Sequence, residues 1–243
     1  MADLTFAVVD ASSFDAIPDP AQPGARCQTC DYWERLDGSR SPAAADAQAR
    51  ADLKRSRLLA GAKLAGAYAM LAHRNGEAVG YAQFGPMSVY PRAQSIRARY
   101  PQLPDSPAPW VVTCLQVVDR VGDHRQAIGA ALLDALGDEL DRRGIGAVEA
   151  YPEGVADPWL PSPGPASLYA QGGFEQVAGD DRYPVYRREL TGSAGAGWTD
   201  LLERTRPADE GDDWPLPLPR QASEDDLFRL PPKLKRTNPF GDD

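Results

Sequence analysis

Residues 125–136 of this 243-residue chain read RQAIGAALLDAL, with Gly129 and its small neighbours Ala130 and Ala131 set into an aliphatic ladder. Ile128, Leu132, Leu136 and Leu140 recur every four positions, the spacing that turns one face of an α-helix to a core. Just upstream, PWVVTCLQVV (109–118) is valine-rich and free of charge, which predicts a buried central strand. The loop DRVGDH (119–124) joins the two. A strand-to-helix junction collects unbonded backbone N–H groups at the positive end of the helix dipole. Small side chains there have two readings, close packing against a strand or close approach of the amides to an anion. The residues by themselves leave both open.

Working outward, Arg142, Arg143 and Gly144 end the helix, cations suiting its negative terminus and glycine its cap. AVEAYPE (147–153) reads as a strand, PASLYAQGG (165–173) as a short helix opened by Pro165, and FEQVAG with YPVYRREL as a closing pair of strands. Upstream, residues 43–65 are rich in Ala, Leu, Arg and Lys and predict a helix, and RAQSIRARY (92–100) a shorter one. AGAYAMLAHR and EAVGYAQFGP meet at Asn75-Gly76, which supplies the positive φ angles of a two-residue hairpin turn. This order predicts an α/β (α+β) fold on one mixed, mostly antiparallel central sheet flanked by helices. Residues 1–190 form the expected domain. Residues 191–243, proline-rich and acidic, are expected to be an extended tail with isolated anchors such as Leu227, Phe228 and Leu230.

The formal charge of −9 speaks against a nucleic-acid binder, which needs clustered Lys and Arg. The start, MADLTFAVVDASSFD, has no basic leader, and nowhere does the chain hold the roughly 18 consecutive apolar residues of a membrane helix. A cytoplasmic protein without membrane contact is expected, and three cysteines fit a reducing compartment.

Gln126-x-x-Gly129-x-Ala131 resembles the Gln/Arg-x-x-Gly-x-Gly/Ala signature of the GNAT superfamily of N-acetyltransferases, placed, as in that family, after a valine-rich strand. Leu168-Tyr169-Ala170-Gln171-Gly172-Gly173-Phe174 is similar to the family's second signature, and the likeness spans residues 64–190. It departs at Ser162, where many members carry Asn. The resemblance implies a GNAT-like acyl-CoA fold and acetyl-CoA as cosubstrate, with no metal. It implies that backbone amides of Gln126, Ala127, Ile128, Gly129, Ala130 and Ala131 bind the pyrophosphate, and that Gln116, Val117 and Val118 pair with the pantetheine arm. It also makes Tyr169 the general acid, whose ordinary pKa of about 10 is close to that of an alkyl thiol. Glu149 is the expected general base, with Glu34 as second candidate. The acceptor is expected to be the amine of a small molecule or peptide, and a homodimer is among the options. A catalytically silent acyl-CoA-binding module whose tail engages a partner is the alternative.

CQTCDYWE (27–34) lies outside the resemblance. Cys27-x-x-Cys30 is half of many zinc sites, but Cys114, His73 and His124 are not paired at ligand spacing. The expected use is an acceptor cleft with Tyr32 and Trp33 as aromatic walls and Asp31 or Glu34 drawing an amine; plain packing is the other reading. His124 and Arg125 could touch phosphate or face solvent. Trp159 falls in a proline-rich loop that could admit the acceptor or staple the surface.

Overall fold

The computed structural model describes residues 4–20, 26–35, 47–152 and 163–191. Residues 192–243 of the expected tail, residues 43–46 of the first predicted helix, Trp159 and Ser162 lie outside them.

Seven strands form one sheet in the order β1-β2-β3-β4-β5-β7-β6. They are β1 (Leu4–Val8), β2 (Ala69–Arg74), β3 (Glu77–Pro86), β4 (Trp110–Val117), β5 (Ala147–Ala150), β6 (Glu175–Ala178) and β7 (Val185–Glu189). Every neighbouring pair is antiparallel except β4 and β5. The helices are α1 (Ala47–Ala65), α2 (Pro91–Arg97), α3 (Arg125–Arg142) and α4 (Ala166–Gln171). This is the mixed, mostly antiparallel, helix-flanked sheet that the order of elements predicts. Strand β1 is an addition, since nothing in its residues marked it out.

Local chemistry explains the elements. Asn75 (φ 54°) and Gly76 (φ 82°) both take positive φ, so the β2–β3 hairpin turns as its dipeptide demands. Helix α3 runs into Arg143 as C-cap, and Gly144 follows at φ 73°. Ile128, Leu132, Leu136 and Leu140 are buried on its inner face. On β3, Gly80 faces α3, where a Cβ would meet Leu132 at 3.4 Å. Tyr81 and Gln83, one residue out of phase, point to the other face, where Gln83 reaches Glu34 and Tyr90. The core therefore lies on both faces, and β4, buried throughout, runs down its middle.

Strand β4 also carries the irregularity that shapes the site. Gln83 pairs with Cys114 and Phe84 with Val112, leaving Thr113 as a bulge. The parallel pairing with β5 consists of Trp110–Val148, Val111–Glu149 and Val112–Ala150, and stops there. From the bulge onward β4 pairs with β3 alone among the described strands, and a gap in strand pairing runs along its other edge toward the start of α3.

Candidate functional site

Backbone polar groups of successive strand residues point to alternate edges. Val118 donates its N–H to Val79 of β3 at 2.9 Å, and the carbonyl of Gln116 also lies on the β3 side, 3.5 Å from where a Gly80 Cβ would stand. Val117 and Leu115 therefore turn their N–H and C=O groups toward the gap. Nε of Arg125 confirms the direction, donating to the Val117 carbonyl at 2.9 Å. Of the three positions expected to meet a pantetheine arm, Val117 alone is oriented for it; Gln116 and Val118 are spent on the sheet, and Leu115 takes their place. Strand period placed four backbone groups on the gap, but only the pairing partner fixed the phase. The Gln116 side chain is buried, and its Oε1 has no hydrogen-bond partner among the described residues.

The gap ends at the mouth of α3. The preceding turn (Asp119–His124) bends at Gly122 (φ 56°), and the N–H of Arg125 bonds back to the Gly122 carbonyl. Gln126 and Ala127 follow in the first helical turn, exposed, where N–H groups have no intrahelical acceptor. From Gly129 onward each amide is consumed by the i→i−4 ladder of α3. Gly129 is itself buried, as is Ile128, and Ala130 and Ala131 are half-buried. The expected anion cradle thus shifts toward the N-terminus: Gln126 and Ala127 can present amides, whereas Gly129, Ala130 and Ala131 cannot. The sequence suggested a glycine at the helix mouth, but the helix starts four residues earlier, at Arg125. Arg125 also pairs with Asp119 at 2.5 Å, leaving the mouth bordered by a guanidinium rather than ringed by free cations.

Tyr169 sits on α4, fully buried, its ring edge-on to Phe174 (5.2 Å) and stacked on Tyr186 (5.9 Å). Its hydroxyl donates to the Pro163 carbonyl at 2.7 Å. Burial pushes its pKa well above the usual phenol value.

Glu149 is also fully buried, but it is not free to act as a base. Arg187 of β7 donates to Oε1 at 2.7 Å, Nε of Arg97 from α2 to Oε2 at 3.2 Å, and the Tyr151 hydroxyl also bonds Oε2. With both oxygens taken and no exposed surface, no amine can reach it. The expected general base is instead the centre of a structural ion-pair network. Burial and the Glu149 charge raise the Tyr151 pKa, keeping that phenol protonated as a donor.

The residues expected to line an acceptor cleft do come together, though mostly as core. Trp33 is 3% exposed, with an Nε1 that has no hydrogen-bond partner among the described residues, and Tyr32 stands edge-on to it under the Arg92 guanidinium. Glu34 accepts from Nζ of Lys54 at 2.8 Å and from Nε2 of Gln83 at 3.1 Å. Gln83 continues the network to the Tyr81 and Tyr90 hydroxyls, both at 3.1 Å. Lys54, which also donates to the Cys30 carbonyl at 2.8 Å, was not singled out in the sequence; no local pattern distinguishes one buried lysine on a basic helix. Burial, the largest influence, works against its charge, but the Glu34 carboxylate together with Cys114 and Cys30 raises its pKa. Cys27 and Cys114 are buried and Cys30 is half-buried. Among the described residues no group of His, Cys, Asp and Glu could hold a metal ion, and no helix is long and apolar enough to cross a membrane.

No protein-family model matches the chain, and no curated protein matches it. Solved structures to which it is similar include an aminoglycoside 6'-acetyltransferase type Ii, at 14% identity over 76% of this chain and 96% of that one, TM-score 0.42. A second is the PaiA N-acetyltransferase from Thermoplasma acidophilum in complex with coenzyme A, at 11% identity, 77% and 99% coverage and TM-score 0.44. A third is the ribosomal-protein-alanine N-acetyltransferase from Brucella melitensis, at 15% identity, 76% and 99% coverage and TM-score 0.44.

Proposed function

We propose that this chain is a cytoplasmic N-acetyltransferase of the GNAT superfamily that moves an acetyl group from acetyl-CoA to the primary amine of a small molecule or peptide. The observation that carries this is the half-open strand: β4 loses its β5 partner after Val112 and keeps an outward-facing edge at Leu115 and Val117 that leads to the exposed amides of Gln126 and Ala127. An edge whose N–H and C=O groups are not used by a neighbouring strand binds an extended amide-bearing arm as an added strand. A helix mouth with bare amides suits a diphosphate.

The thioester of bound acetyl-CoA supplies the activated acetyl group. The chain supplies the rest. Leu115 and Val117 hold the arm and polarise the carbonyl from their N–H groups. Gln126 and Ala127 hold the diphosphate. The amine forms the new C–N bond as the C–S bond breaks; Tyr169, once its hydroxyl leaves Pro163 and the burial that holds its pKa above the thiol's is relieved, protonates the departing sulfur and is reprotonated by the proton the amine releases. Glu149 does none of this chemistry; it fixes β5, β7 and α2 around the gap.

Calorimetric titration with CoA, followed by an acetyl-CoA consumption assay over a panel of primary amines, tests the reading. CoA binding with turnover on at least one amine is the expected result, and no CoA binding ends the proposal. The commitment of both Tyr169 and Glu149 to internal bonds favours one second reading, a silent acyl-CoA-binding module. Binding without turnover across the panel would select it.

A further inference from the structure

The inner half of the gap is covered by the chain's own Pro163-Gly164-Pro165. A Cβ on Gly164 would stand 2.9 Å from the Leu115 carbonyl oxygen, and the residue holds φ +87°, so the backbone presses on the strand edge as closely as glycine permits. Pro163 and Pro165, which flank Gly164, have no N–H to donate. The bond that holds the segment down comes from elsewhere, the buried Tyr169 hydroxyl on the Pro163 carbonyl at 2.7 Å. Phe174 and Tyr186 brace that ring on two sides. At the outer half, Nε of Arg125 covers the Val117 carbonyl at 2.9 Å. Both carbonyls that face the gap are thus shielded by the chain itself.

We propose that Pro163-Gly164-Pro165 is a strap latched by Tyr169, and that the arm of an entering acyl-CoA lifts it, taking the Leu115 edge and freeing the Tyr169 phenol inside the gap. The inference rests on the acyl-CoA reading and adds an order of events: the proton donor is hidden until the cosubstrate is in place. Opening costs one neutral, buried hydrogen bond and the contact at Leu115. Deleting the latch should therefore strengthen CoA binding, where loss of a simple catalytic acid would leave it unchanged.

Calorimetry with CoA on the wild type and on Tyr169→Phe separates these outcomes. The expected result is CoA binding about threefold to tenfold tighter in Tyr169→Phe, the range that loss of one such bond allows, together with a fall in kcat for acetyl transfer. Equal or weaker binding by the folded variant overturns the strap while leaving the acyltransferase reading intact. No CoA binding by the wild type overturns both. Should Tyr169→Phe fail to fold, hydrogen exchange on the wild type decides: CoA is expected to speed exchange at Gly164 and slow it at Leu115 and Val117. Unchanged or slower exchange at Gly164 overturns the strap.

Discussion

From Trp110 to Val112, β4 is paired on both edges; from Leu115 to Val117 it is paired on one. Both stretches are buried, and only the Thr113 bulge and Cys114 lie between them. In the first stretch every backbone group is consumed by the sheet, and the neighbouring β5 carries Glu149, tied by ion pairs to α2 and β7. In the second, half of the backbone groups face a gap, and what lies across from them is a helix mouth and a glycine. One strand is therefore scaffold at one end and binding edge at the other, and a single inserted residue marks the change.

The comparison breaks most visibly at Glu149. Replacing it with Ala leaves Arg187, 2% exposed at its side chain, without its buried partner and should cost about 3–5 kcal/mol in chemical denaturation. If Glu149→Ala instead kept its stability and lost only turnover, the scaffold half would have to be redrawn as catalytic. Gly129→Glu comes next. It puts a charge at a buried position of α3, and a loss of at least about 2 kcal/mol of stability is expected rather than a clean loss of ligand. Ala127→Pro is the complementary change, removing an amide in the exposed first turn, where proline is tolerated. Its stability should stay within about 1 kcal/mol of wild type while CoA affinity falls about tenfold by calorimetry, the size of one hydrogen bond to a charged group. Unchanged affinity would take the helix mouth out of the site.

Smaller effects sharpen the border between the halves. Gln83, opposite Cys114 at the bulge, is held by Glu34, which Lys54 pairs. Because the Lys54 pKa is raised in the fold, its contribution is complete below about 10.5 and is lost as pH rises through the higher folded value. The thermal midpoint of the wild type should therefore drop above that pH more than that of a Lys54→Met, Glu34→Gln double variant. The smallest effect is at Asp10, far from either half, where the amides and hydroxyls of Ser12 and Ser13 lower the pKa to about 2. Its stabilisation is present above pH 3.8 and lost as pH falls through about 2. Asp10→Ala should flatten that acid limb in a thermal scan, with CoA binding untouched.

Much of this was legible in the residues. The fourfold spacing from Ile128 to Leu140 gave α3, Asn75-Gly76 gave the hairpin, and the valine run gave β4, because these are local properties of a few consecutive side chains. Tyr169 and the helix mouth were marked by motif, and both lie beside the gap. What failed was phase and partnership. Gln116 and Val118 stood as plausible as Leu115 and Val117 until the bond from Val118 to Val79 showed which edge faces β3. Glu149 looked like a base on a cleft strand because nothing near it in sequence predicts Arg97, 52 residues before, or Arg187, 38 residues after.

By itself the sequence determined which segments form strands and helices and in what order, since turn chemistry and hydrophobic period act over a few residues. Tertiary structure alone decided where β5 parts from β4, which backbone groups are left over, and which carboxylate is neutralised. Those outcomes depend on pairing between distant segments, and a hydrogen bond or ion pair has no partner until the chain has brought both sides together.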